Sequence, residues 1–153
     1  MIIKELHTLT EKQVRDLLLL MQELNSELKV SAKMMRKVAA SQHSHLFVLE
    51  EEDGSIVGTA TLCVFESLLG LNANVEDVVV LSSYRGQHLG RKLMEHLIDY
   101  ARRELKEVNL YLTSRPNRIV ANEMYKALGF ERRETNVYKL AIKSSNTIEN
   151  NNL

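Results

Sequence analysis

The sequence predicts an α/β (α+β) fold with a mixed, mostly antiparallel central sheet of about six strands and helices on both faces. Short β-branched or apolar runs alternate with segments whose apolar residues recur at helical spacing. Their order is strand, two helices, two hairpin strands, then strand–helix–strand–helix–strand, which favours a sheet covered on both sides. One proline and six glycines interrupt 153 residues, which indicates long regular elements with short connections.

The first half of the chain carries a strand, two helices and a hairpin. Thr10 and Gln13 have the Thr-x-x-Gln spacing of a capping box, which satisfies free amides at a helix start. Residues 52–55, Glu-Asp-Gly-Ser, have the composition of a hairpin turn. The predicted elements of this half are a strand at 2–6, a helix that begins at the capping box, a helix at about 31–40, and strands at 46–50 and 56–66.

The second half alternates strands and helices. One helix carries an apolar stripe formed by Leu89, Leu93, Leu97 and Ala101. A second helix is expected to end at Gly129, because glycine readily adopts the left-handed conformation found at helix ends. The predicted elements are a strand at 75–81, helices at about 88–104 and 117–128, and strands at 108–113 and 134–142. The helix at 117–128 is expected to turn its apolar residues inward, namely Val120, Ala121, Met124 and Leu128.

Length and charge narrow the function classes. We expect one domain at 1–143 and a polar, flexible tail at 144–153. Lys plus Arg equals Asp plus Glu, at 20 each, so no electrostatic reason favours nucleic acid or an anionic membrane as a partner.

Several features favour a cytoplasmic location. The single cysteine, Cys63, forms no intramolecular disulfide, which fits a reducing compartment. The first residues do not resemble a signal peptide. The apolar run from Leu17 to Met21 is far shorter than the ~20 residues of a spanning helix.

The stretch 78–93 has the composition of a phosphate-binding turn. A buried strand leads through Gly86 and Gly90 into an amphipathic helix, whose first amides lack internal partners and lie at the positive end of the helix dipole. Arg85 and Arg91 add positive charge, so the turn suits a pyrophosphate. It is neither a Walker loop nor Gly-x-Gly-x-x-Gly. An ordinary strand–helix connection with two conformational glycines is the alternative.

Two motifs resemble those of the GNAT superfamily of acetyl-CoA-dependent N-acetyltransferases. Residues 85–90, Arg-Gly-Gln-His-Leu-Gly, resemble its motif A, Gln/Arg-x-x-Gly-x-Gly/Ala. Residues 117–130, which end in Tyr-Lys-Ala-Leu-Gly-Phe, look like its motif B. Residues 1–66 match only in their order of elements. The resemblance implies splayed central strands at 75–81 and 108–113.

The resemblance implies acetyl-CoA as co-substrate and no metal. The pantetheine arm would form hydrogen bonds with the backbone of the strand at 75–81, and the amides of the turn would hold the pyrophosphate. The implied cofactor-binding residues are Val78, Val79, Val80, Arg85, Gly86, Gln87, His88, Leu89, Gly90, Arg91, Asn117 and Asn122. For Asn117 the alternative is a helix N-cap, and for Asn122 a residue of the helix surface.

His88 departs from the motif, since it stands where the family usually has its first signature glycine. If the position has a positive φ, a β-carbon costs about 1 kcal/mol or more. We expect instead a helical backbone that tolerates His88. The alternatives are weakened cofactor binding, a protein that binds CoA without turnover, or a side chain that contacts the phosphates.

Glu76 and Tyr125 are the catalytic candidates. A lysine-like amine has a pKa near 10.4 and must lose a proton before attack, and Glu76 is the candidate base, directly or through water. The alternative is that Glu76 or Asp77 faces solvent or pairs with a basic residue. By resemblance, Tyr125 would give a proton to the departing thiolate; the alternative is a core aromatic.

The remaining reactive residues carry no such signal. Cys63 is expected to be a small core residue, so we expect direct transfer without an acyl-enzyme. The five histidines show no metal-ligand spacing, and 43–45, His-Ser-His, is expected to be a solvated loop.

The acceptor stays open. By resemblance its site is built from residues near 22–31, the connection at 67–74 and the segment 132–138. In the first of these, Glu23 and Glu27 favour a cation or simply face water. The run 75–80, Val-Glu-Asp-Val-Val-Val, is similar to glucosamine-phosphate acetyltransferases of the superfamily.

Three activities follow as expectations. The first is acetylation of a primary amine of a small molecule or peptide. The others are a non-catalytic CoA-binding module and a protein-lysine, N-terminal or toxin-like acetyltransferase. A homodimer also stays open, with the predicted strand 134–142 as an edge for pairing.

Overall fold

The computed structural model of the protein describes residues 1–27 and 29–143. The predicted tail, 144–153, lies outside the described residues. No helix within the described part is long and apolar enough to cross a membrane.

The first three elements are a strand, β1 (Ile2–Leu6), and two helices, α1 (Glu11–Leu24) and α2 (Ala32–Ala39). The predicted capping box is confirmed: the Gln13 amide donates to Thr10 Oγ1 at 3.2 Å, and the Thr10 amide donates to Gln13 Oε1 at 3.0 Å. These two bonds satisfy donors that would otherwise be free at the start of α1.

Five strands form one sheet in the order β1-β2-β3-β4-β5, with β2 at Ser44–Glu50, β3 at Ile56–Ser67, β4 at Gly70–Val80 and β5 at Asn109–Tyr111. The first four pair antiparallel, and β5 pairs parallel to β4. The mixed, mostly antiparallel sheet is therefore confirmed, with five strands in place of about six.

Helices cover both faces of the sheet, as predicted. On one face, α1 and α2 pack on Val48, Ile56 and Val79. On the other, α3 (Leu89–Tyr100) packs on the sheet through the predicted stripe, which is fully buried, and continues as a π-helical turn at Ala101–Leu105. The last helix, α4 (Ile119–Ala127), begins after Arg118 without a side-chain cap, so the N-cap alternative for Asn117 is wrong.

The predicted strand at 134–142 is wrong for the described structure. Residues 131–143 have no regular secondary structure and are exposed throughout. A strand needs a neighbour for its backbone groups, and within the described residues this segment has none. The β-branched and aromatic residues that predicted a strand are nevertheless present, at Val137, Tyr138 and Ile142.

Three local predictions are also corrected. Residues 67–74 are a tight turn followed by β4, because β3 and β4 pair as far as Ser67 and Gly70. Val120 is 86% exposed and does not face inward. The His-Ser-His run is not a solvated loop, since His45 lies in β2 with its Nδ1 at 2.8 Å from Glu5 Oε1.

The buried face of α3 supports a test of the core. Leu93 is fully buried and Leu19, on α1, is 56% exposed. We expect Leu93→Ala to lower the free energy of unfolding by about 2–5 kcal/mol, because it leaves a cavity. Leu19→Ala, the matched control, should change it by no more than about 0.5 kcal/mol. Chemical denaturation measures both, and equal losses would contradict the assignment of the core.

Candidate active site

The strands β4 and β5 separate after a short contact. They pair only at Asn72–Asn109, Ala73–Leu110 and Asn74–Tyr111. Beyond Asn74, β4 runs on to Val80 with no strand on its β5 side within the described residues. The sheet therefore opens into a cleft whose one wall is an unpaired strand edge.

The backbone of Val78 and Val80 lines this cleft. The Leu81 amide donates to Val57 O of β3 at 2.9 Å. Since backbone groups alternate along a strand, those of Val80 and Val78 point to the opposite edge. Arg85 Nε, 3.4 Å from Val80 O, confirms that this carbonyl faces away from β3. The side chain of Val79 is buried against the α1 face of the sheet.

A turn rich in free amides closes one end of the cleft. A 3₁₀ turn at Ser82–Tyr84 leads through Gly86, with φ 80°, into α3. The backbone amides of residues 86–91 donate to no acceptor within the described residues. A β-carbon built on Gly90 meets nothing within 4 Å. Free amides next to the positive end of a helix are an arrangement suited to binding an anion.

His88 has the left-handed conformation that the sequence analysis did not favour, with φ 57° and ψ 19°. The expectation of a helical backbone is therefore wrong. The side chain of His88 makes no capping bond to α3 and is exposed. A β-carbon in this region costs roughly 1–2 kcal/mol, so the turn keeps its shape at a cost in stability.

The two arginines of the turn are held by carboxylates. Arg85 Nη2 donates to Glu23 Oε2 at 3.0 Å, and Arg91 Nε donates to Glu95 Oε1 at 2.8 Å. Glu23 also accepts from the Ser82 hydroxyl at 2.8 Å and its amide at 3.2 Å. These bonds from Ser82, with the charge of Arg85, hold the pKa of Glu23 below its usual range.

The bonds of Glu23 fix the end of α1 beside the turn. Arg118 Nη2 donates to Leu24 O at 3.4 Å and links the same end of α1 to the start of α4. Glu23 was predicted to attract a cationic acceptor or to face water. Its carboxylate instead bonds the turn, a contact that the sequence did not predict because the two segments are distant along the chain.

Two carboxyl groups lie at a bulge in β4. The register with β3 shifts between Thr61–Glu76 and Thr59–Val79, and Asp77 has φ 55°. Thr61 Oγ1 donates to Asp77 Oδ2 at 3.2 Å. Desolvation raises the pKa of both carboxyls; the charge of Asp77 raises that of Glu76 further, and the bond from Thr61 partly offsets the rise for Asp77.

Asp77 is therefore a candidate that the sequence analysis placed only among alternatives. Its signal in the sequence is its position beside Glu76, at the end of a β-branched run. The bulge, which turns two successive carboxyls toward one region, is visible only in the structure.

Tyr125 of α4 is half-buried beside Phe130, with ring centroids 6.2 Å apart. Burial raises its pKa, partly offset by the charge of Arg118, so the phenol keeps its proton at neutral pH. Asn122 Nδ2 donates to Arg115 O at 3.0 Å and orders the link before α4. Asn117 is exposed, in that same link.

Two further polar groups complete the description. Cys63 is half-buried, and burial raises its pKa, as do the charges of Glu76 and Asp77. Because the thiolate is the nucleophilic form and a raised pKa keeps the thiol protonated, Cys63 is a poor nucleophile. Ser114, after β5, has a buried hydroxyl without a hydrogen-bond partner among the described residues, and no sequence signal marked it. Within that part of the chain, no group of three His, Cys, Asp or Glu is placed to hold a metal.

Known proteins resemble this chain in sequence and in fold. The family model described as "Acetyltransferase (GNAT) family" matches residues 13–130. The N-alpha-acetyltransferase RimI of Mycobacterium tuberculosis is 30% identical over 93 residues, which cover 61% of this chain and 56% of that protein. A glucosamine 6-phosphate N-acetyltransferase of Arabidopsis thaliana is 35% identical over 63 residues, 39% of this chain and 42% of that protein.

The chain thus spans about half the length of the curated relatives it matches. Among solved structures, a putative acetyltransferase from Agrobacterium tumefaciens has a TM-score of 0.77 at 23% identity, covering 92% of this chain and 100% of that one. At this identity the likeness is one of fold.

The two glycines of the turn should respond differently to alanine. Gly86 has a positive φ, so Gly86→Ala should lower the free energy of unfolding by about 1–2 kcal/mol. Gly90 has open space and an ordinary φ, so Gly90→Ala should leave stability unchanged or raise it by up to about 1 kcal/mol. Urea denaturation compares them; a larger loss for Gly90→Ala would contradict the described turn.

Proposed function

Because the chain belongs to the GNAT family of acetyltransferases, we propose that it transfers an acetyl group from acetyl-CoA directly to a primary amine of a small molecule or peptide. The observation that carries the proposal is the cleft itself, where an unpaired strand edge leads to six free amides. A linear amide chain that ends in a pyrophosphate matches both.

The residues present fit acetyl-CoA. The backbone groups of Val78 and Val80 have no strand partner on this side and would bond the pantetheine amides as an added strand does, once Arg85 Nε leaves Val80 O. The amides of 86–91 are free for the pyrophosphate, and Gly90 leaves room for close approach. Arg85 now bonds Val80 O and Glu23, and we propose that it moves to the phosphates on binding.

Chemistry at the cleft needs a base, an acid and a donor to the thioester oxygen. A backbone amide near Val80 is the proposed donor. Glu76 and Asp77 are the proposed bases, because carboxyls with raised pKa values accept a proton from an ammonium ion more readily than ordinary ones. Tyr125, protonated at neutral pH, is proposed to protonate the departing thiolate.

The acceptor is proposed to reach the bulge from the α1 and α2 side. Leu19, Gln22, Glu23, Leu81 and Ser83 line a depression there. One relative is named for N-terminal acetylation and another for acetylation of an amino sugar phosphate. The carboxyls of the bulge, which form no ion pair among the described residues, favour an acceptor that carries a positive charge near the reacting nitrogen.

Binding of acetyl-CoA tests the first half of the proposal. We expect isothermal titration to show micromolar affinity for the wild type and none for Gly90→Arg, whose side chain fills the space beside the turn amides. Thermal unfolding without ligand checks that the variant is folded, and Gly90→Ala should weaken binding by less. No binding by the wild type would contradict the function proposed, and binding without turnover on amine panels would leave a CoA-binding module.

Turnover tests the carboxyls. We expect Glu76→Gln or Asp77→Asn to lower kcat by about 10²–10⁴-fold if its carboxyl is the base, with Glu66→Gln on β3 as the matched control. In the wild type, activity should fall as pH drops through the raised pKa, because the base must be ionised.

The free energy of unfolding should depend on pH in the direction opposite to that of the activity. Between the ordinary and the raised pKa of Asp77, the folded state binds more protons than the unfolded state, so stability falls as pH rises. Asp77→Asn should flatten this dependence, whichever of the two carboxyls is the base. Full activity in both variants would exclude a carboxyl base in the bulge.

A further inference from the structure

Ser114 stands on the wall of the cleft opposite β4. The last paired residues of β4 and β5 are Asn74 and Tyr111, and the two chains then separate. Three residues beyond this pair, β4 reaches Asp77 and the other chain reaches Ser114. Because extended chains advance by nearly the same distance per residue, Ser114 lies at about the level of the bulge, across the gap.

The side chain of Ser114 points to the face of the sheet that α4 covers. Exposure alternates along 109–114: Leu110 and Leu112 are partly buried and pack against the same core cluster as Tyr125 of α4, whereas the residues between them are exposed. Ser114 continues the partly buried series, since side chains alternate along an extended chain. Its hydroxyl and the phenol of Tyr125 therefore belong to one face of the sheet.

The hydroxyl oxygen of Ser114 is buried and has no hydrogen-bond partner among the described residues. No other buried side-chain nitrogen or oxygen in that part of the chain lacks a partner. A buried polar group without a partner lowers the stability of the folded state, and folded proteins keep few of them. A ligand atom that bonds this hydroxyl removes that cost.

Other donors near this level are already engaged. The hydroxyl of Thr61 donates to Asp77 Oδ2 at 3.2 Å, beside the bulge. The side-chain amide of Asn122, on α4, donates to Arg115 O at 3.0 Å. The hydroxyl of Ser114 differs from both because the folded chain gives it nothing to bond.

The sulfur of acetyl-CoA is the ligand atom that suits this position, an argument that rests on the function proposed above. In that complex the pyrophosphate is held at 86–91, and the pantetheine arm follows β4 back past Val80 and Val78. Its reactive end then arrives beside the bulge, at the level of Ser114. Tyr125, the proposed proton donor to the departing thiolate, approaches from the same face of the sheet.

We propose that Ser114 donates a hydrogen bond to the thioester sulfur and stabilises this atom as it leaves. The amine nitrogen attacks the carbonyl carbon, the carbon–sulfur bond breaks, and its electron pair stays on sulfur. Tyr125 gives the sulfur a proton and a carboxyl of the bulge takes one from the amine; solvent then restores both groups. Ser114 keeps its own proton. Because sulfur accepts a hydrogen bond more strongly as its negative charge develops, the contact favours the transition state.

Stability and binding should change in opposite directions in Ser114→Ala. Loss of a buried group without a partner should raise the midpoint of urea unfolding of the free protein or leave it unchanged. The affinity for CoA, measured by isothermal titration, should fall about 3–10-fold, the loss typical of one hydrogen bond. Thr113→Ala, which removes an exposed hydroxyl from the preceding residue, should change neither quantity. A hydroxyl that serves only the fold would give a lower midpoint on removal.

Desulfo-CoA, which carries hydrogen in place of the thiol, identifies the atom that Ser114 contacts. Ser114→Ala should bind this ligand as tightly as the wild type does. As pH rises and the thiol of bound CoA ionises, the wild type should gain affinity for CoA relative to desulfo-CoA, and Ser114→Ala should gain less.

Three results would overturn the proposal: equal losses for CoA and desulfo-CoA, an unchanged affinity for CoA, or a destabilised Ser114→Ala. Each of these leaves acetyl-CoA as the co-substrate. A wild type that binds neither acetyl-CoA nor CoA would instead overturn the proposed function, and the role of Ser114 with it.

Discussion

The divergence of β4 and β5 after Asn74 is the constraint on which the candidate site depends. Backbone donors and acceptors in a sheet are normally paired, and an unpaired row is stable only where solvent or a ligand reaches it. Here the row along Val78 and Val80 ends at a helix start, which has free amides of its own. Two kinds of unpaired backbone thus adjoin, and a linear ligand with amides and phosphates is the chemistry that satisfies both.

The bulge in β4 follows from the same geometry. Val75 packs on the α3 face, and the extra residue at Asp77 lets Val78 pack on that face as well. This arrangement requires a left-handed backbone at Asp77 and places two carboxyl groups in adjacent positions. Glu76 and Asp77 take part in none of the ion pairs among the described residues, so their charge is left available at the cleft, although Asp77 also accepts a hydrogen bond from Thr61. The bulge therefore connects the packing of the core to the chemistry of the strand edge.

Much of this fold could be predicted from local patterns, since capping residues and helical stripes act within a few residues. Thr10 with Gln13, and the stripe from Leu89 to Ala101, are of this kind. The segment 134–142 was predicted as a strand but has no regular secondary structure, because strand pairing depends on a neighbouring strand that no local pattern specifies. The contact of Glu23 with Ser82, the bulge at Asp77 and the φ of His88 likewise depend on distant packing. The motif residues could be predicted, but their mutual geometry could not.

The distribution of strain supports the location of the site independently of any resemblance. Asp77 and His88, two of the three non-glycine residues with positive φ among those described, stand at the two ends of the stretch that forms the cleft. Left-handed non-glycine residues persist only where the surrounding structure holds them, and they cluster at functional sites. The β1 side of the sheet has ordinary backbone and paired charges. Two strained residues and two carboxyls with raised pKa values lie instead on β4 and the turn after it, beside the unpaired edge of Val78 and Val80, and this concentration supports the location proposed for the site.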